Sequence, residues 1–139
     1  MEPRVLLVCP DDKTFWRHFH YLRERRFPVY PAKNGQEALE MLGRLDYQLA
    51  IVYFNLPGMN GTELTAKMKL QNPSLRVILI AQDDNPGENQ AERLLVAPAG
   101  DDFLLKQIRE LFPEGWNDTK REIIGPENPF EVPKDLDVT

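Results

Sequence analysis

Only one cysteine, Cys9, occurs in the 139 residues, so no disulfide can close within the chain and no cysteine cluster can hold zinc. Long apolar runs are missing as well. The longest cover residues 5–9, 49–54 and 77–81, far short of the ~20 residues a membrane span needs. The opening stretch MEPRVLLVCPDD has too few apolar residues for a signal peptide, and acids follow at once. Positive charge is in deficit: 17 Lys and Arg face 22 Asp and Glu, for a net charge of −5. That excludes a general attraction to nucleic acid or to anionic lipid, which would then need a local basic patch. There are two histidines, His18 and His20, two residues apart on a predicted helix and therefore on different faces. A joint metal site on them is not expected. No repeat and no low-complexity run is present, and a reducing cytoplasm is the expected compartment.

What remains is enough to fold. Hydrophobic residues make up 42% and charged residues 28%, a balance that supports a core rather than wholesale disorder. The length suits one domain with an appendage. Composition shifts after Phe112: residues 113–139 hold four prolines and seven acids against three bases, about four of the five net negative charges. Proline at that density blocks helix and central strand. Residues 1–112 are read as the domain and 113–139 as an acidic, proline-rich tail. Trp116, Ile123, Ile124, Phe130 and Val132 are apolar residues inside that tail, unusual for a merely solvated segment, and they mark it as a docking segment for this domain or for a partner.

The body alternates short apolar runs with helical periodicity. Strands are expected at 5–9, 29–30, 49–54, 77–81 and 94–97. Helices are expected at 12–26, with Phe15, Phe19 and Leu22 inward, at 36–44, at 63–70 with Thr62 as cap, and after an Asp101 or Asp102 cap. In the last helix Phe103, Leu104, Ile108 and Leu111 are expected inward. Near-continuous apolar strands separated by helices imply a parallel sheet covered on both faces. Right-handed crossovers give a doubly wound, flavodoxin-like α/β fold of five strands in the order 2-1-3-4-5. Ligands of such sheets sit beyond the carboxyl ends of the strands, here Cys9 to Asp12, Tyr53 to Asn55, Ala81-Gln82 and Ala97-Pro98.

The segments NGQEALEML (34–42) and YFNLPGMNGTEL (53–64) resemble the receiver domain of two-component response regulators, and with LLVAPAGDDFLLKQIREL (94–111) the resemblance runs from residue 4 to 112. It implies a phosphorylation site. In the family, two acids after the first strand and an acceptor aspartate hold Mg²⁺, while a Ser/Thr hydroxyl and a lysine grip the phosphoryl oxygens. On the frame of Pro57, Met59 and Gly61, the acceptor position falls on Tyr53, the hydroxyl position on Ala81 and the lysine position on Ala97. The acid pair falls on Cys9 and Pro10, or the second acid on Asp11 if the first helix is slid by one residue. Each departure removes a different part of the chemistry. The resemblance also implies a helix between the fourth and fifth strands, yet only 12 residues separate Ala81 from Leu94. That helix is expected to be shortened or missing, with apolar surface bared beside the last two strands.

Several residues carry two readings. Asp11 and Asp12 are the candidates left for a divalent cation, but too few for a dedicated site, and either also suits the cap of the first helix. Tyr53 reads as a gating or modified residue, or as a ring filling the emptied cleft with its hydroxyl in water. Cys9 reads as a redox sensor or as strand-end packing. The arginines 17, 23, 25 and 26 read as a solvated helix face or as a surface for an acidic partner. The function expected is a degenerate, phosphorylation-independent receiver-like module, not an enzyme and without cofactor, that acts in signalling or scaffolding through protein–protein contact. No effector domain is expected to follow it. A homodimer is left open, and no nucleic-acid or membrane partner is expected. The alternatives are a single-domain regulator that still responds to phosphorylation or another ligand, and a transcription regulator.

Overall fold

Three apolar runs form the middle of the sheet: β1 (Val5–Val8), β3 (Leu49–Tyr53) and β4 (Arg76–Ala81), buried along their length except at Arg76 and Tyr53. The edges are β2 (Val29–Ala32) and β5 (Arg93–Val96), where burial is broken. All neighbours pair in parallel, in the order β2-β1-β3-β4-β5, as expected. Pro31 stands in β2, the outer position that tolerates a residue without an N–H. The helices are α1 (Asp12–Glu24), α2 (Gly35–Leu42), α3 (Gly61–Gln71) and α4 (Asp101–Leu111). The computed structural model describes residues 3–83 and 87–113, and Arg4–Leu111 form one compact unit. Trp116, Ile123, Ile124 and Phe130 lie outside the described residues. Among the described residues no helix is long and apolar enough to cross a membrane.

Strand side chains alternate between two layers. Leu6, Val8, Ala50, Val52, Val77 and Leu79 pack with Ala38 and Leu42 of α2 and Leu64 and Met68 of α3. Val5, Leu7, Ile51, Ile78 and Ile80 are buried on the opposite face, where α1 and α4 lie side by side. Tyr53 follows Ile51 by two residues and shares that second face.

Local capping departs from expectation in two places. Asn60, not Thr62, caps α3: its side chain accepts the Glu63 N–H at 2.8 Å. Asp101 and Asp102 stand inside the first turn of α4 rather than before it, and Leu104 N–H bonds the Gly100 carbonyl at 2.9 Å. Phe103 points outward, 52% exposed, while Leu104 and Ile108 are buried. On α1 the inward face is Phe15, His18 and Leu22, with Phe19 only half-buried. A spacing of three, then four residues is as good a helical face as four, then three, and the sheet selected the one containing histidine.

The end of α1 is a Schellman turn. Arg26 N–H bonds the Arg23 carbonyl at 3.0 Å and Phe27 N–H bonds the Leu22 carbonyl at 3.1 Å. Arg26 takes the left-handed conformation, φ 71°, that the turn requires. An L side chain there costs roughly 1–2 kcal/mol, partly offset by the greater unfolded-state entropy of glycine. Arg26→Gly is therefore expected to raise unfolding stability by about 0.5–1 kcal/mol in urea titration.

Among the described residues no helix lies between β4 and β5. Glu92 turns the chain into β5: its N–H bonds the Val77 carbonyl at 2.9 Å, its carboxylate accepts the Val77 N–H at 2.8 Å, and its other oxygen pairs with Lys69. The bared apolar surface is smaller than expected. Leu94 and Val96 are 37% and 48% exposed, but Leu79 and Ala81 stay buried, because α3 already covers β4.

Candidate functional site

The carboxyl edge of the sheet gathers the positions singled out in the sequence. The register Val8–Val52 sets Cys9 beside Tyr53. Ala81 closes β4, and its carbonyl accepts the Ala97 N–H at 2.7 Å. The Ala97–Pro98 peptide is cis. On the α2 side of the same edge, Met59 lies over Gly35, where a Cβ would come within 3.0 Å of its Cγ and Sδ, so the two sequence motifs meet in space. An open groove there is lined by Asn34, Gln36, Pro57, Gly58 and Met59.

The half-buried Tyr53 holds its hydroxyl against a protein partner rather than in water alone. It lies 2.6 Å from Nε2 of His18, and Nδ1 of His18 lies 2.7 Å from Oδ1 of Asp101. The carboxylate can only accept, so Nδ1 carries the proton, Nε2 is the acceptor, and the Tyr53 hydroxyl donates to it. Arg17 closes the cluster. Its Nε sits 3.4 Å from Oδ2 of Asp101, one terminal nitrogen donates to the Ala99 carbonyl at 3.0 Å, and that nitrogen lies 3.4 Å from Nε2 of His18. Three elements, α1, β3 and α4, are thus joined through one imidazole that is fully buried.

The electrostatics follow from that burial. Desolvation lowers the pKa of His18, against the opposing pull of Asp101. Desolvation likewise pushes the Tyr53 phenol far above its ordinary range, and Cys9 and Asp101 add to the rise. Burial raises the Cys9 thiol too, so it is a packed, protonated thiol whose Sγ–H reaches the Asp11 carbonyl at 3.5 Å. The chain Asp101–His18–Tyr53 has the order of orienting acid, base and hydroxyl found in nucleophilic sites. Here the phenol is held protonated, so it acts as a hydrogen-bonded brace.

The donor set does not fit Mg²⁺. Asp11 caps α1, its Oδ2 accepting the Thr14 N–H at 2.8 Å, and those bonds hold its carboxyl below the usual range. Asp12 pairs with Lys33. Cys9, Pro10 and Tyr53 offer no carboxylate, and among the described residues no three His, Cys, Asp or Glu come together as a metal site. Ala81 and Ala97 carry neither hydroxyl nor ammonium.

Residues 6–111 match the family described as response regulator receiver domain. The chain belongs to that family. It is 35% identical over 104 residues to a cyclic di-GMP phosphodiesterase of Thermotoga maritima, a match covering 75% of this chain and 27% of that protein. It is 33% identical over 116 residues to the regulatory protein VanRB of Enterococcus faecalis, covering 80% of this chain and 53% of that one. The chain thus spans about a quarter to a half of the length of these curated relatives. Among solved structures, the signal receiver domain of an HD domain-containing protein from Pseudomonas fluorescens superimposes with a TM-score of 0.75 at 27% identity, covering 81% of this chain and 88% of that one. The receiver fold and family membership are therefore shared with proteins of two-component signalling.

Sequence reasoning placed Tyr53, Ala81 and Ala97 at one edge, and they are there. It separated His18 from His20, and His20 is indeed exposed. It missed His18, Asp101 and Arg17 as partners of Tyr53. A signal was available: a phenol at the end of a core strand needs a hydrogen-bond partner, and His18 is the polar residue at helical spacing between Phe15 and Leu22.

Proposed function

We propose that this receiver domain works without phosphorylation, as a signalling or scaffolding module that acts through protein–protein contact. The observation that supports this reading is the Tyr53 hydroxyl bound to a neutral His18 at the position where the family carries its acceptor carboxylate. A phenol held protonated there is neither a phosphoryl acceptor nor a ligand for a hard cation. Exposed Leu94, Val96 and Phe103, and the apolar residues Trp116, Ile123, Ile124 and Phe130 of the acidic tail, are the surfaces we assign to a protein partner or a second copy.

The test is direct. Incubation with an acyl-phosphate donor and Mg²⁺ is expected to leave the intact mass unchanged. Tyr53→Asp alone is expected to stay unlabelled as well, because Ala81 and Ala97 supply no charge stabilisation for the transferring group. A stable gain of one phosphoryl group on an aspartate of the natural chain overturns the reading.

A further inference from the structure

We infer that the Asp101–His18–Tyr53 chain is a proton-operated latch, in which protonation of His18 expels Arg17 and frees the Ala99 carbonyl at the start of α4. The neutral state satisfies every partner. Nδ1–H donates to Asp101 at 2.7 Å, and Nε2 accepts from Tyr53 at 2.6 Å. The Arg17 nitrogen that holds the Ala99 carbonyl at 3.0 Å stands 3.4 Å from the same Nε2. A proton on Nε2 reverses that contact. Nε2 becomes a donor, so the Tyr53 oxygen must accept and turn its own proton away from the ring. The guanidinium then faces a second cation across 3.4 Å, with the single carboxylate of Asp101 between them.

One of the two cations has to leave, and burial decides which. The His18 side chain is fully buried and has no water to move to, whereas the Arg17 side chain is 48% exposed. Arg17 therefore moves, and its departure breaks the bond to Ala99 that ties α1 to the β5–α4 junction. The charged and titratable groups facing this cluster are Asp101 from α4, Tyr53 from β3, Arg17 from α1, and Cys9 and Asp11 from the β1–α1 loop. Of these, Tyr53 and Cys9 have their pKa raised by burial, and Asp11 is held ionised by its cap bonds. His18 is thus the group that changes charge as the medium turns mildly acid. Depressed below its ordinary value, it binds its proton more weakly in the fold than in the unfolded chain. The latch therefore holds at neutral pH and opens as pH falls through the folded midpoint.

The latch rests on the reading of the cleft given above, yet the two fail separately, because this experiment uses no phosphodonor. Nitrogen-15 NMR of the full chain, titrated from about pH 8 to pH 5, reads the His18 ring nitrogens and the Ala99 and Gly100 amides together. The expected result is one shared midpoint for ring and amides, lying below the ordinary histidine value. The Nδ1-protonated tautomer is expected on the alkaline side. Two isosteric variants are expected to move the midpoint in opposite directions. Tyr53→Phe removes the donor that favours neutral His18 and raises it; Asp101→Asn removes the charge that favours the imidazolium and lowers it. Arg17→Gln is expected to leave the ring titrating while the Ala99 and Gly100 amides stop following it. A wild-type titration in which those amides ignore His18, or variants that shift the midpoint the same way, overturns the latch.

Discussion

Gly61→Ala is expected to lower unfolding stability by about 3 kcal/mol, the upper range for overpacking a site that cannot relax. A Cβ at Gly61 would stand 2.7 Å from Cδ1 of Leu79, 2.8 Å from Cα of Phe54 and 2.8 Å from the Tyr53 carbonyl oxygen. Two of those three atoms are backbone and cannot rotate away. The same stretch of β3 carries Tyr53, and Gly61 N–H bonds the Phe54 carbonyl at 2.7 Å. Any shift that admits the methyl therefore displaces the strand end on which the His18 contact depends. Gly58 is the comparison. It takes φ +85° but has nothing within 4 Å of its Cβ direction, so Gly58→Ala costs conformational strain alone, about 1 kcal/mol. Urea unfolding of the two variants, with an unchanged m-value, checks the order. Equal losses would show that the close approach at Gly61 is absorbed.

His18→Ala is expected to cost a similar amount, about 3 kcal/mol, from a cavity plus a half-buried hydroxyl left without its acceptor. Asp101 keeps Arg17 as a partner, so its charge is not stranded. Tyr53→Phe leaves the ring in place and the imidazole paired to Asp101, and is expected to cost about 1 kcal/mol. The pH dependence separates this role from plain packing. The unfolded chain binds the His18 proton more readily than the folded one, because burial depresses the folded pKa. The contribution is complete above about pH 6.5, the unfolded value, and is lost as pH falls through the folded midpoint. In His18→Ala that loss disappears, so the stability difference between variant and natural chain narrows in acid. A difference that stays constant down to about pH 5 would refute a neutral, buried His18.

Membership of the receiver family accounts for the scaffold. Met59 over Gly35 joins the loop after β3 to the start of α2 at the carboxyl edge. At the same edge, Tyr53 and His18 form a hydrogen-bonded brace. The bond from Arg17 to Ala99 then extends that brace to the last helix.

The sequence by itself determined the sheet. Apolar runs at 5–9, 49–54 and 77–81 with intervening helical periods admit few topologies, because each strand needs both faces covered and crossovers take one hand. It also determined that Tyr53, Ala81 and Ala97 would stand at the carboxyl edge, since strand register follows from the apolar pattern. The short span before β5 likewise left no room for a full helix. Tertiary structure alone decided the face of α1. Phe19 and His18 are neighbours on one helix, and turning it by one residue exchanges them. The apolar count favours Phe19, but a phenol on the sheet below needed an acceptor, and Asp12, the one aspartate of α1, is paired with Lys33; Asp101 and Tyr53 converge on His18 only when α1 and α4 are packed side by side. Hydrogen-bond partners 35 and 83 residues apart in the chain leave no local period to read, which is why the brace was invisible until the sheet had assembled.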